Sequence, residues 1–179
     1  AGAAALPMGE RELAELSLWI VEAGLAQTTD EALVAGLADR LAALGIPLLR
    51  VNMSYTTLHP TIAGRELEWW RDNASVALNL WQRESMEQTN ARGDRPYPYM
   101  LKNDVAAIRA DLTDPEHQAR FPLFASLAEI GGTGYYGRIY RLAESQNPQV
   151  FNGVAISGGT VAPEGMTDAY VAMFERLLP

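Results

Sequence analysis

The sequence contains no cysteine, which removes disulfides, thiolate metal ligands and thiol nucleophiles. Histidine is almost as scarce, with only His59 and His117. The first stands beside Pro60 in a turn-like stretch and the second within Asp114-Pro115-Glu116, and neither has further ligands at metal-site spacing. No apolar run reaches the ~20 residues that span a bilayer. The longest stretch, Leu13 to Ala26, is interrupted by Glu15, Ser17 and Glu22. Positive charge is also in short supply. Against 22 acidic residues stand 14 basic ones, a net charge of -8, which argues against a generic nucleic-acid or anionic-membrane binder. There is no basic-then-apolar leader, and the cysteine-free composition fits a reducing cytoplasm. Nucleophilic and phosphate-binding signatures are missing too. No Gly-x-Ser-x-Gly elbow occurs, and Gly131-Gly132-Thr133-Gly134 lacks the Lys-Ser/Thr ending of a phosphate loop and precedes a strand pattern rather than a helix.

What is present is a chain of 179 residues, 48% hydrophobic and 20% charged, enough to bury the core of one ordinary domain. Residues 10–26 carry Leu13, Leu16, Ile20 and Ala23 on one helical face, with Leu18, Trp19, Val21 and Leu25 widening it. Thr28 followed by Glu31 has the spacing of a capping box. A second helix follows with a stripe of Leu33, Leu37, Leu41 and Leu44, closed by Gly45 in a left-handed cap.

The period then changes from about 3.6 to 2. Leu49, Val51, Met53 and Tyr55 alternate with Arg50, Asn52, Ser54 and Thr56; after His59-Pro60, residues 65–72 alternate again, predicting a hairpin. Residues 75–81 predict a third strand or a loop crossing the sheet, and residues 83–98 a long mobile loop punctuated by Gly93, Pro96 and Pro98. A short helix at 99–102, a strand at 105–112 and a helix at 121–130 follow. Strands at 135–142 and 150–157 come next, with a turn at Asn147-Pro148 and an end at Gly158-Gly159. The last helix opens near Pro163-Glu164, with Met166, Tyr170, Met173, Phe174 and Leu177 as its stripe. This order predicts an α+β domain with a largely antiparallel sheet.

Trp69, Trp70, Trp81, Tyr97 and Tyr99 form the most informative aromatic group. Trp69 and Trp70 are adjacent in a strand and so point to opposite faces. A strand face with aromatic walls and a guanidinium, Arg71 or Arg138, beneath a loop is where a small ligand would bind.

Several pieces, taken in order, resemble a known family. They are Trp19-Ile20-Val21-Glu22-Ala23-Gly24-Leu25, Gly45-Ile46-Pro47-Leu48, Thr57-Leu58-His59-Pro60 and Glu68-Trp69-Trp70-Arg71. Pro96-Tyr97-Pro98-Tyr99-Met100-Leu101, Phe121-Pro122-Leu123 and Gly131 to Tyr135 complete the set. Together they resemble the N-terminal GAF/PAS-like regulatory domain of bacterial class III adenylate cyclases. The resemblance implies a non-catalytic sensor that forms a homodimer through terminal helices and signals in cis to a downstream cyclase domain. The cyclase aspartates, Asn and Arg are not in this chain, so catalysis is expected beyond Pro179. On this reading residues 1–8 are a lead-in or non-native remnant, 9–45 an N-terminal helical pair, 46–162 the sensor core and 163–179 the connecting helix. The expected ligand-contacting residues are Tyr55, His59, Trp69, Trp70, Arg71, Tyr97, Tyr99 and Arg138. No cofactor and no metal is expected, and the ligand is an unidentified small molecule. The other reading is a purely structural dimerisation module with no ligand.

Overall fold

A computed structural model describes residues 7–73, 75–85, 88, 93–142 and 152–177. The turn expected at Asn147-Pro148 lies outside them. Helices α1 (Glu10–Leu25) and α2 (Asp30–Ala43) open the chain, followed by strands β1 (Leu48–Thr56), β2 (Ile62–Trp70) and β3 (Ala77–Gln82). Then come α3 (Pro96–Lys102), β4 (Ala107–Asp111), α4 (Pro115–Gln118), α5 (Pro122–Glu129), β5 (Gly134–Arg141), β6 (Gly153–Thr160) and α6 (Asp168–Leu177). The six strands form one open sheet in the order β3-β2-β1-β6-β5-β4. Every neighbouring pair is antiparallel. The architecture is α+β. Among the described residues no helix is long and apolar enough to cross a membrane.

Local chemistry fixes the ends of α2. Thr29, not Thr28, is the N-cap: its Oγ1 accepts from Ala32 N at 3.3 Å, while Asp30 and Glu31 fill the first turn where the helix dipole favours negative charge. At the other end Gly45 takes φ +79°, Ile46 N donates to Leu41 O at 3.0 Å and Gly45 N to Ala42 O at 2.9 Å. These bonds satisfy two orphan carbonyls and bury Ile46 beside Leu41. The buried face of α2 is Val34, Ala38 and Leu41, a face rotated from the leucine stripe.

Helices α1, α2 and α6 cover one face of the sheet in a single core. Leu13, Leu16, Val34, Leu41, Val51, Leu67, Trp69, Met173 and Phe174 meet there. On the other face Met100, Phe121, Phe124 and Leu127 pack on Leu49, Ile108 and Tyr135. The rings of Tyr99, Phe121, Phe124 and Tyr135 run in sequence with centroids 5.4, 5.0 and 4.8 Å apart.

One irregularity decides what each face carries. The β1–β6 register shifts between Leu48 and Arg50, so Leu49 is an extra residue in its strand. Before it Leu48 faces the three-helix core, and after it Val51 does. Leu49 joins the second core, and Arg50, Asn52 and Ser54 follow it to that side.

Three of the expected boundaries move. Helix α3 starts at Pro96, inside the loop expected over residues 83–98, because proline suits the first turn of a helix, and Pro96 and Pro98 are buried there. Strand β6 does not stop at Gly158-Gly159 but continues to Thr160. Glycine is needed there because a Cβ on Gly158 would stand 2.6 Å from Phe174 Cζ of α6. The last helix starts at Asp168 rather than near Pro163, because Gly165 turns the chain at φ +69° and donates to Ala162 O at 2.8 Å. Met166 then passes close over Gly134, where a Cβ would lie 2.3 Å from Met166 N.

Gly158→Ala is therefore expected to lower stability by about 1–3 kcal/mol through overpacking. Gly134→Ala is the costlier of the two, since it collides with backbone and not with a ring edge. Urea unfolding of both variants checks the order, and equal or negligible losses would contradict the close packing.

A pH dependence follows from two tyrosines. Burial, reinforced by a hydrogen bond to Asp30, pushes the Tyr55 hydroxyl up to about 12, and burial with a bond to Glu175 does the same for Tyr136. Raised tyrosines hold their proton longer in the folded state. Their contribution is complete below the ordinary value of 10.0 and disappears as pH climbs towards about 12. Unfolding midpoints should fall across that window, and Tyr55→Phe with Tyr136→Phe should flatten the fall. An unchanged slope in the double variant would contradict it.

Candidate functional site

Among the described residues, the second face of the sheet is only partly covered. Between it and helices α3 and α5 lies a cavity of about 900 Å³. Its floor is built by alternation: Arg50, Asn52 and Ser54 of β1, Glu66 and Glu68 of β2, and Ala155 and Ser157 of β6. The β1–β2 register sets Asn52 opposite Glu68 and Ser54 opposite Glu66, and Ser157 lies across from Asn52 on the other flank. Tyr97 and Leu101 of α3 and Leu123 of α5 form the far wall, Trp81 of β3 closes one side, and Arg83, Asp94 and Arg95 stand at the mouth.

The floor is a fixed polar network. The Arg50 side chain is 6% exposed, a depth at which a lone guanidinium is prohibitive. Its Nε donates to Glu68 Oε1 at 2.6 Å, its Nη2 joins the same oxygen, and its Nη1 reaches Ser157 Oγ at 3.4 Å. Its Cζ also stands 5.3 Å from the Trp70 ring centroid. Glu66 accepts from Asn52 Nδ2 on one oxygen and from Trp81 Nε1 on the other, both at 2.9 Å. Asn52 is fully buried and Ser157 nearly so.

Two phenols complete the site. Burial pushes the Tyr97 and Tyr135 hydroxyls up, Tyr97 the further, with Tyr135 beside it adding to the effect; both stay protonated at neutral pH. Tyr97 leaves part of its ring exposed but buries its hydroxyl oxygen, which has Ser157 as a neighbour and closes no hydrogen bond. An orphan of this kind inside a cavity is a waiting donor and acceptor.

Of the residues expected to contact a ligand, the structure brings Tyr55 and Tyr97 to the cavity. Tyr55 only borders it: its ring packs against the three-helix core and its hydroxyl donates to Asp30 of α2. Trp70 lies on the same sheet face, packed in the second core beside Arg50. The other five are placed elsewhere. Trp69 points into the three-helix core, as strand alternation requires. His59 shapes the β1–β2 turn, its Nδ1 accepting from Thr61 N and Ile62 N at 3.3 and 3.2 Å. Arg71 is exposed in the turn after β2. Tyr99 stacks edge-on against Phe121. Arg138 is on the helix face, where it pairs with Glu175 of α6.

Sequence reasoning missed Arg50, Asn52, Glu66 and Glu68. Their signal was the polar half of two alternating strands, which reads as a solvent face until something is known to cover it. Among the described residues no three histidine, aspartate or glutamate side chains group to hold a metal ion.

Removing Glu68 leaves Arg50 buried without its carboxylate. Glu68→Ala should lower stability by about 2–3 kcal/mol, somewhat under a fully buried pair because Glu68 is partly exposed. Combined with Arg50→Met, the loss should be smaller than the sum of the single losses. A urea double-mutant cycle measures this, and strictly additive losses would contradict a coupled pair.

The chain matches no protein-family model and no curated protein sequence.

Proposed function

We propose that this chain is a non-catalytic, small-molecule-binding regulatory domain, GAF/PAS-like, of a bacterial class III adenylate cyclase. It acts in the cytoplasm as a homodimer and signals in cis to a catalytic domain. The observation that carries the reading is the cavity of about 900 Å³, polar at its floor and holding an orphan hydroxyl, on one face of a sheet whose other face carries both terminal helices. An antiparallel sheet flanked by helices is also what the family resemblance implies.

The route from cavity to helices is short. Ser157 faces the cavity and bonds Arg50, while the next residue, Gly158, faces the helices and lies under Phe174 of α6. On β5, Tyr136 donates to Glu175 at 2.7 Å and Arg138 pairs with the same carboxylate. Helix α6 is in turn tied to α1 by Arg176, whose Nη1 and Nη2 donate to the two oxygens of Glu10 at 2.7 and 2.6 Å. A ligand that resets β6 therefore moves α6 and, through it, α1. The outer face of α1 exposes Leu18, Val21 and Leu25, at 58%, 57% and 81%, spaced three and four residues apart as in a helix-pairing seam. Class III cyclases form their active sites between two catalytic domains, so a small change in helix pairing is enough to alter output.

Native mass spectrometry tests the reading. The purified chain is expected as a dimer carrying extra mass that disappears on unfolding. A bare chain that also shows no thermal shift with any metabolite would contradict ligand sensing and leave the dimerisation module. A monomer would contradict helix pairing.

A further inference from the structure

The floor of the cavity holds more carboxylate than cation. Glu66 and Glu68 are two residues apart on β2 and point the same way, against one guanidinium, Arg50. Both Nε and Nη2 of Arg50 go to Glu68 Oε1, and no described residue donates to Glu68 Oε2. Each Glu66 oxygen takes one donor, from Asn52 and from Trp81, and has a lone pair to spare. The buried Tyr97 hydroxyl adds an acceptor with no partner.

An anionic ligand fits this floor poorly. It would face two carboxylates, with the deep guanidinium of Arg50 already engaged. Nearer the mouth, Arg83 Nη2 donates to His59 O at 2.9 Å, and Arg65 Nη1 pairs with Asp30 at 3.0 Å while its buried Nε has no partner. Arg95 lies 5.3 Å from the Trp81 ring centroid, an internal example of that ring receiving a cation. The net charge of -8 draws cations towards the molecule as a whole.

We propose that the cavity takes a small organic cation, a primary ammonium or amidinium head on an apolar body. The head donates to Glu68 Oε2, to a spare lone pair of a Glu66 oxygen and to the Tyr97 hydroxyl oxygen, and the body lies against Trp81 and Leu101. This deepens the regulatory reading above and rests on it.

The test is a titration by tryptophan fluorescence and thermal shift, using n-butylamine, phenethylamine and agmatine as probes beside butyrate, 3-phenylpropionate and 2-phenylethanol. At least one amine is expected to bind saturably and to raise the melting temperature, with the matched acid and alcohol inert. Glu66→Gln keeps an oxygen for one of its two donors and removes the charge, so it should weaken the amine by about tenfold or more. Tyr97→Phe removes an unpartnered buried hydroxyl. It should leave the free protein as stable as before or more so, and still weaken the amine severalfold. This variant carries the test if Glu66→Gln folds poorly. Preference for an acid or alcohol, no amine bound, or unchanged amine affinity in Tyr97→Phe would overturn the organic-cation assignment. Binding of an acid or alcohol would do so while leaving ligand sensing intact. Ligand sensing itself falls only on a bare mass with no metabolite response.

Discussion

A guanidinium buried in the middle of a sheet constrains everything near it. Arg50 is on β1, the middle strand of its cavity floor, and it is held by Glu68 of β2 on one flank and Ser157 of β6 on the other. Taking such a charge out of water is costly unless it is paired and hydrogen-bonded. Glu68, Ser157 and the nearby Trp70 ring answer that demand together. The extra residue at Leu49 makes the arrangement possible. Without it the alternation of β1 would carry Arg50 into the three-helix core, where Leu41, Leu67 and Met173 offer no partner. The bulge thus separates a dry face from a polar one.

The same strand alternation gives the two faces a mechanical link. Ser157 and Gly158 are neighbours with opposite outlooks, one in the polar floor and the other beneath the Phe174 ring. A glycine there lets α6 sit directly on the strand, so that a shift of β6 has no slack side chain to absorb it. Tyr136 and Arg138 bind the same helix through Glu175. In the proposed account the ligand acts on a sheet that is clamped to the terminal helix, and a population shift needs only a ligand that prefers one arrangement of that clamp.

Much of the fold was legible in the sequence. The periodicity of residues 10–45 gave two helices, and the strict alternation at 49–56 and 65–70 gave the hairpin, including the opposite facing of Trp69 and Trp70. Position-specific packing was less legible. Gly158-Gly159 looked like a strand end because glycine usually punctuates, yet here it answers a ring on α6 that only the tertiary structure supplies. Thr28 has capping-box spacing to Glu31, yet the cap is Thr29, whose Oγ1 accepts from Ala32 N. The site was harder still. Its aromatic member Tyr97 stood out, but Arg50, Asn52, Glu66 and Glu68 occupy positions that normally face water. Nothing local announces that α3 and α5, more than twenty residues away in sequence, roof them over.

The coupling of the polar floor to the terminal helix is the central claim, and hydrogen–deuterium exchange with and without saturating phenethylamine tests it most directly. The account predicts slower exchange in β1 and β6 and also in α6, on the far face of the sheet. Slower exchange confined to the cavity strands, with α6 unchanged, would contradict it.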